Sequence, residues 1–592
     1  MKVRRRAAVA MVLALVAGAV SASASASATT FAAWSESFAA DWVRLSAERA
    51  TAAQYFGADE QAALDRELTP LTAAQRYRRL ALARAGLTQL DGFAASALTP
   101  DERVGAAVLR WALQRSVAEA PFEDHNFVFN QLNGPHLRYV NLLTEHQPLR
   151  RPADIAPFLA RLAQVDLRLD EAITRAREAA KRGLLPPRFI LERARSQVQA
   201  FLAQPGADND IVAGLARRSA RIEGLAPGER QRAVEEATAL VQTRLRPAYE
   251  RVLALLDELH PRTTAAAGLW RLEGGDKAYA QALAEFTTTT LTAEQIHALG
   301  LHEVARIEAQ MDRVLTAQGR RDGSVSARMN ALRAELQPPA EPDPRPALIQ
   351  RYADAVRDAQ RRAVPLFNIT PSAPVEVRRV PALTERTASA FYTTPAPDGS
   401  RPGIFWAPLP GPNYDVLRIR SLAVHEAVPG HHFQLALQQE QADLPRWRQR
   451  CIFGGGSAHS EGWALYAERL ALDNGWYEDD PHALLGALDG QLFRARRLVV
   501  DTGLHAKRWT LDRAIAYGLP VHEVERYVAN PGQATAYMVG MLHILALRDE
   551  AQATLGKRFS LPAFHDVVLK TGSVPLDVLS DVVRRWAEGV KP

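Results

Sequence analysis

The spacing of hydrophobic positions predicts helices over most of the chain. Between residues 31 and 269, apolar side chains recur at 3.6-residue spacing among Ala, Arg and Glu, and Pro or Gly stand mainly at the breaks. Residues 155–182 and 228–260 show this pattern most clearly. The segment Thr292-Ala-Glu-Gln295 has the form of a capping box and predicts the start of a long amphipathic helix. We therefore expect a mainly α-helical protein.

The hydrophobic period changes to two between residues 375 and 409. The stretches 388–394 and 403–408 flank the turn-forming sequence Pro-Ala-Pro-Asp-Gly, which predicts a β-hairpin. An edge strand just before a metal motif is suited to hold an extended peptide by its backbone, but the hairpin could equally be structural. The helical pattern returns after Pro412, so the expected architecture is α-rich with one small sheet.

The length of the chain predicts more than one hydrophobic core. Its 592 residues exceed the size of an ordinary single core, so we expect two helical subdomains around a central cleft. The predicted bounds are 30–269 for an N-terminal helical subdomain and 270–592 for a metal-binding catalytic subdomain that contains the small sheet.

The first 29 residues have the pattern of a secretory signal peptide. A basic segment at 1–6 precedes an apolar run at 7–20 and alternating Ser and Ala, with a cleavage site expected between 26 and 30. The apolar run is shorter than the ~20 residues of a membrane span, so we expect export without stable membrane insertion after cleavage, to the periplasm or the medium. Cys451 is the sole cysteine, which excludes an intramolecular disulfide and leaves no lipid acceptor near the signal.

The charge balance argues against a nucleic-acid partner. The formal net charge is +6, and the four basic residues of the predicted signal account for much of it, which leaves about +2. Arginines alternate with acidic residues along the chain, as on a solvated helical surface. We therefore expect no nucleic acid among the partners.

A cluster of histidines follows the predicted sheet, in the sequence His425-Glu426-Ala-Val-Pro429-Gly430-His431-His432. It departs from H-E-x-x-H, in which two histidines one helical turn apart bind zinc and the intervening Glu activates a water molecule. Here proline occupies the position of the second histidine, and no later histidine fits the metal on a regular helix.

Proline and glycine offer a way to close this site. Pro429 cannot donate to the carbonyl of His425, and Gly430 permits unusual backbone angles, so the helix should open between Ala427 and His431. That turn would bring His431 back as the second ligand and leave His432 beside it. The alternative is a kinked helix with incidental histidines.

A catalytic zinc ion usually has three protein ligands, and a Glu on a following helix can supply the third. The segment Ser460-Glu461-Gly462-Trp463 begins such a helix after a glycine-rich stretch, and its apolar stripe includes Trp463, Tyr466 and Leu470. We expect Glu461 to be the ligand. Glu468, two turns further on, could instead orient a ligand histidine or face solvent.

The two motifs together resemble a known family. H-E-x-x-P-G-H followed by S-E-G-W-A-x-Y is typical of bacterial proteins carrying domain of unknown function 885, and further similar segments lie at 291–300, 399–403 and 530–534. The resemblance implies a helical, zincin-like metallopeptidase fold in the style of thimet oligopeptidase and thermostable carboxypeptidase proteins. It also implies His425, His431 and Glu461 as the metal ligands.

Four polar residues near the C-terminal part of the site share one helical face: Arg494, Arg497, Asp501 and His505. Asp501 could orient His505, which with Tyr537 would donate to the developing oxyanion, and the arginines could bind a substrate carboxylate. The alternative is a buried salt-bridge ladder that joins helices. The pairs His302-Glu303 and His522-Glu523 lack a second histidine at a useful spacing, and we expect them at the surface.

These residues predict an exported zinc-dependent hydrolase, a metallopeptidase in which Glu426 is the general base and the substrate is a peptide or a small amide. A helical binding or scaffold protein with a structural metal or none is a second hypothesis. A zinc amidohydrolase acting on non-peptide substrates is a third.

Overall fold

The computed structural model describes residues 30–381, 385, 389–396, 399, 401–454 and 456–589. The predicted signal peptide lies outside the described residues. None of the helices described is both long enough and apolar enough to span a membrane.

The described part of the chain is mainly α-helical, as predicted. Its first helices are α1 Phe31–Arg44, α2 Ala47–Ala53, α3 Ala58–Leu64, α4 Ala73–Leu90, α5 Pro100–Glu119, α6 Pro135–Asn141, α7 Ile155–Leu162, α8 Val165–Lys181, α9 Arg188–Ala203, α10 Asp210–Ser219, α11 Pro227–Leu240, α12 Arg246–Leu259 and α13 Gly275–Thr287. The later helices are α14 Ala293–Ala317, α15 Val325–Glu335, α16 Arg345–Ala363, α17 Ile419–Glu426, α18 His431–Glu440, α19 Arg446–Gln449, α20 Gly456–Asp473, α21 Pro481–His505, α22 Leu511–Ala516, α23 Val521–Ala529, α24 Ala536–Leu555, α25 Leu561–Thr571 and α26 Leu576–Gly589. The predicted capping box is present at the start of α14, where Thr292 and Gln295 bond reciprocally.

A three-stranded sheet lies between α16 and α17. Its strands are β1 Val375–Arg379, β2 Phe391–Thr393 and β3 Gly403–Ala407, in the order β1-β3-β2. Strands β2 and β3 pair antiparallel, with Tyr392 opposite Phe405, which confirms the predicted hairpin. Strand β1 adds to β3 in parallel. Among the described residues, β2 has a strand neighbour on one side only.

Buried apolar side chains form two large clusters. The smaller runs from Leu68 to Leu259 and joins helices of the first half of the chain. The larger combines the first helices, from Phe31 to Leu113, with most of the second half, up to Val583. The first helices precede residue 269 but pack into the larger cluster, so the two clusters do not divide the chain at that residue. The subdomain boundary near residue 269 stays a prediction.

Glycines allow the helices around the site to pack closely. A Cβ on Gly462 of α20 would lie 2.6 Å from the backbone of Gly540 in α24, and one on Gly540 would lie 2.0 Å from the carbonyl oxygen of Ala458. A Cβ on Gly486 of α21 would lie 2.0 Å from the carbonyl oxygen of Leu417, the residue before Arg418. Such contacts exclude any side chain. The close packing of these segments brings Glu461, Tyr537 and Arg418 to the walls of one cleft.

Candidate metal centre and cleft

The histidine motif contains a break in the helix, as predicted. Helix α17 ends at Glu426 and α18 begins at His431, with non-helical backbone angles at Ala427 (φ −111°, ψ −91°) and Gly430 (φ −78°, ψ −127°). A Cβ at position 430 would lie 1.9 Å from the carbonyl oxygen of His425, so the turn requires glycine there. The break brings the rings of His425 and His431 to 4.9 Å between centroids.

Trp463 ties this turn to α20. Its indole nitrogen donates to the carbonyl oxygen of Pro429 at 2.8 Å, and the side chain is fully buried. A buried indole N–H requires an acceptor, and the irregular turn supplies a free carbonyl. Trp463 therefore sets the position of the motif relative to Glu461, two residues earlier on the same helix.

His425, His431 and Glu461 form a group with the donor set and spacing of a zinc site. One ligand atom from each lies within 4.8 Å of the others. Glu461 Oε2 is 3.6 Å from His425 Nε2 and 3.4 Å from His431 Nε2. Ligand atoms ~2.0–2.2 Å from a tetrahedral zinc ion lie ~3.3–3.6 Å from one another, so the residues present fit the ion.

A hydrogen bond to Glu468 fixes the orientation of the His425 ring. Glu468 Oε1 lies 2.8 Å from His425 Nδ1, which leaves Nε2 directed at the candidate metal position. Arg494 Nη2 is 3.6 Å from the same carboxylate oxygen. Glu468 therefore takes the orienting role that the sequence left open, and its burial is offset by Arg494 and His425, which lower its pKa.

The electrostatics of the group favour a cation between its members. Burial alone would raise the pKa of Glu461, but the neighbouring His431 and His425 hold it well below its usual value. Burial lowers the pKa of His425, whereas its contacts with Glu461 and Glu468 raise it to about 9. A divalent cation would take the place of these protons between the same atoms.

Glu426 lies beside the three ligand residues with part of its carboxylate unpaired. It is buried, and its Oε2 has no hydrogen-bond partner in the described part of the chain. Burial raises the pKa of Glu426, and the charges of His425 and His431 lower it. Because a buried unpaired oxygen is costly, the position suits a group that takes and releases a proton in the cleft.

A cleft of about 750 Å³ opens over this group. Its wall includes the start of β2 and side chains from several helices. The polar lining residues of interest are Tyr392, Arg418, Arg494, Arg497, His522, Glu523, Arg526 and Tyr537. Of these, Arg494, Arg497 and Tyr537 were predicted from the sequence as site residues, and His522 and Glu523 were expected at the surface. The other three reach the cleft through tertiary packing.

Tyr537 lines the same cleft as the ligand group, and its role as an oxyanion donor stays a prediction, whereas His505 and Asp501 lie elsewhere. Neither is among the described residues that line the cleft with Tyr537. His505 is fully buried, and its ring nitrogens bond to the backbone N–H of Leu269 (3.1 Å) and the carbonyl of Tyr527 (3.1 Å). Burial lowers its pKa to about 4.

Asp501 accepts hydrogen bonds from the hydroxyl of Tyr279 (2.6 Å) and the backbone N–H of Gly532 (3.1 Å). Burial raises the pKa of Asp501 to about 7. The prediction that Asp501 orients His505 toward the metal is therefore wrong. Both side chains join neighbouring segments through hydrogen bonds to a tyrosine hydroxyl and to backbone groups, not through the salt-bridge ladder that was the alternative.

Two further expectations are settled by the geometry. His432 is outside the ligand group, and its Nδ1 lies 2.8 Å from the Tyr392 hydroxyl of β2.

Glu523, expected at the surface, is buried and pairs with Arg497 at 3.0 Å. Glu303 is also buried and pairs with Arg306 at 2.7 Å, whereas His302 is exposed as expected.

The fold and site define a class: a mainly helical protein with a His-His-Glu group at the base of a cleft. The family model described as "Bacterial protein of unknown function (DUF885)" matches residues 51–583. The chain belongs to this family, which confirms the resemblance seen in its two motifs. The comparison with curated proteins gave no match.

Solved structures share this fold. A "putative lipoprotein" from Colwellia psychrerythraea is 30% identical, with a TM-score of 0.87 over 95% of this chain and 100% of that one. A "putative lipoprotein of unknown function" from Shewanella oneidensis is 20% identical, with a TM-score of 0.71 over 94% of this chain and 100% of that one. The second likeness, at this identity, concerns the fold alone.

Proposed function

We propose that this protein is an exported zinc-dependent hydrolase, and specifically a metallopeptidase of zincin-like architecture. The observation that carries the proposal is the joint placement of His425, His431 and Glu461, at distances that fit tetrahedral zinc, beside the unpaired carboxylate oxygen of Glu426. The group lines an open cleft, which suits a catalytic site better than a closed structural one. When bound, zinc would polarise water and the substrate carbonyl.

Glu426 is the proposed general base. Its free Oε2 accepts a proton from the attacking water, and the same atom returns that proton to the leaving amine, so the carboxylate is regenerated. Burial makes the carboxylate more basic, which helps the first transfer. Glu468 keeps His425 in the tautomer that presents Nε2 to the cleft.

Strand β2 supports a peptide as the substrate. Residues 389–392 line the cleft, and the edge of β2 that has no strand neighbour in the described part of the chain offers backbone groups to an extended peptide. The contact between Tyr392 and His432 joins this strand to the helix that follows the metal motif. A substrate strand paired with β2 would therefore run past the ligand group.

Export rests on the N-terminal pattern and on the relatives. The first 29 residues have the sequence of a signal peptide. The similar structure from Colwellia psychrerythraea is described as a "putative lipoprotein", and lipoproteins are exported. We therefore propose export to the periplasm or the medium.

Metal analysis of the mature protein, followed by mass-spectrometric profiling of a mixed peptide library, tests the proposal. About one zinc per chain and cleavage that stops on chelation and returns with zinc would support it. Bound zinc without cleavage of peptides or small amides would favour the binding-protein alternative, and cleavage confined to non-peptide amides would favour an amidohydrolase.

Tyr537→Phe should lower kcat by about two to three orders of magnitude, the usual effect of removing one oxyanion donor. The proposed donor is its hydroxyl, which lies at the start of α24 on the wall of the cleft. Zinc content and melting temperature should stay close to those of the wild type. A kcat within threefold of the wild type would remove Tyr537 from the proposed mechanism.

A further inference from the structure

Three arginine side chains surround one aromatic ring in the cleft. The guanidinium carbons of Arg418, Arg494 and Arg497 lie 5.7, 5.9 and 4.6 Å from the centroid of the Phe493 ring. All three residues line the same cleft as the ligand group. Like charges repel strongly when they are this close and partly desolvated, so such a cluster needs compensating anions.

The described carboxylates in ion-pair contact with these guanidiniums are already shared. Glu468 pairs with Arg494 and also holds His425. Glu523 pairs with Arg497 and with Arg526. Neither carboxylate is therefore available to one guanidinium alone.

Arg497 has donors to spare. Its Nη2 donates to Glu523 at 3.0 Å, while its Nε and Nη1 are buried without a hydrogen-bond partner among the described residues. The Nε atoms of Arg418 and Arg494 are likewise unpartnered. A buried N–H group without an acceptor destabilises the folded state. The penalty is larger for a guanidinium, because it cannot lose its charge.

The Arg497 guanidinium is also held rigidly. It lies over the rings of Phe493 and Tyr537, at 4.6 and 4.5 Å from their centroids, and the residue is 6% exposed. Stacking of this kind fixes the plane of the guanidinium before any ligand arrives. The site is therefore built for a small anion, and it shares the Tyr537 side chain with the proposed hydrolytic site.

We propose that Arg497, supported by Arg418 and Arg494, binds a carboxylate of the peptide substrate, and that this is the C-terminal carboxylate. The inference rests on the proposed function and deepens it, since it makes the protein an exopeptidase acting from the C-terminal end. A peptide carries a single such group with no further modification. A carboxylate is a planar acceptor that matches the unpartnered N–H groups of the cluster.

Three peptides that share one sequence test this. The first has a free C-terminal carboxylate, the second a C-terminal amide and no acidic residue, and the third a C-terminal amide with one internal Glu. The free acid should be cleaved with a kcat/KM on the order of 10- to 100-fold above that of the neutral amide, the range for a hydrogen bond to a charged group. Its products should come from the C-terminal end.

Variants of two arginines on α21 then test whether Arg497 causes the preference for the free acid. In Arg497→Gln the ratio of kcat/KM between free acid and neutral amide should fall to near one. Because Arg497 contacts the Tyr537 ring, the absolute rate can change as well, but the ratio isolates the preference for the carboxylate. Arg496→Gln is the matched control, because Arg496 pairs with Glu308 and is not among the described residues that line the cleft. It should keep the wild-type ratio. Arg497→Lys should restore part of the preference through its charge.

Each outcome of the peptide comparison is informative. Equal cleavage of free acid and neutral amide by the wild type would overturn the inference and leave the proposed function standing. Preference for the internal Glu peptide over the free acid would overturn the assignment to the C-terminus. No cleavage of any peptide would overturn the proposed function, and calorimetric titration of the wild type with the same peptides would then show whether a carboxylate still binds.

Discussion

We expect Glu426→Gln to keep its zinc while kcat falls by about two to four orders of magnitude, the usual contribution of a general base. The amide has the shape of the carboxylate and fills the same buried space, but it cannot accept a proton from water. Metal analysis, circular dichroism and single-turnover kinetics on a peptide cleaved by the wild type check this. The variant should also still bind that peptide, since the substitution leaves the cleft open.

Glu303→Gln is the matched control for this variant. Glu303 also follows a histidine on a helix and is also buried, but it pairs with Arg306 and does not belong to the ligand group. Its kcat should stay within about twofold of the wild type, because a change remote from the reacting atoms leaves the barrier unaltered. Turnover of Glu426→Gln near the wild-type rate would remove Glu426 as the base.

The helices and the hairpin could be predicted because their signals are local. The capping box at Thr292 and the period-two stretches around β2 and β3 each determine a neighbouring segment. The parallel addition of β1 was not predicted, because the pairing of β1 with β3 joins segments far apart in sequence. The joint core of the first helices and the second half of the chain is equally non-local.

The candidate ligands could be predicted because proline and glycine made one local geometry necessary. Pro429 and Gly430 open the helix, and His431 then falls beside His425. Glu461 was harder, since its choice over Glu468 depended on which helical turn faces the metal. In the structure Glu461 lies in the candidate ligand group with His425 and His431, and Glu468 bonds to His425 Nδ1.

Helical spacing alone misled the prediction for His505 and Asp501. Spacing tells which residues share a face, but not which elements cover that face along its length. Just past the middle of α21 this face borders the cleft at Arg494 and Arg497, and one turn further on Asp501 is bonded by the hydroxyl of Tyr279. The burial of Glu523 was not predicted for the same reason, since its partner Arg497 lies on another helix.

Substitution of either ligand histidine should have the second large effect. His425→Ala and His431→Ala should each reduce zinc from about one ion per chain to a small fraction, because a catalytic site with two protein ligands left cannot hold the ion through dialysis. Cleavage should be lost in parallel. Inductively coupled plasma mass spectrometry on dialysed protein gives the stoichiometry.

His432→Ala separates the ligand role from the general effect of removing a histidine at this turn. Its Nδ1 bonds to the Tyr392 hydroxyl, so the variant should loosen the contact between β2 and α18 while zinc stays near one ion per chain. The expected readout is a raised KM for peptides that pair with β2, together with full zinc occupancy. Equal zinc loss in all three histidine variants would contradict the ligand assignment, because it would mean that the turn as a whole, and not His425 and His431 individually, retains the ion.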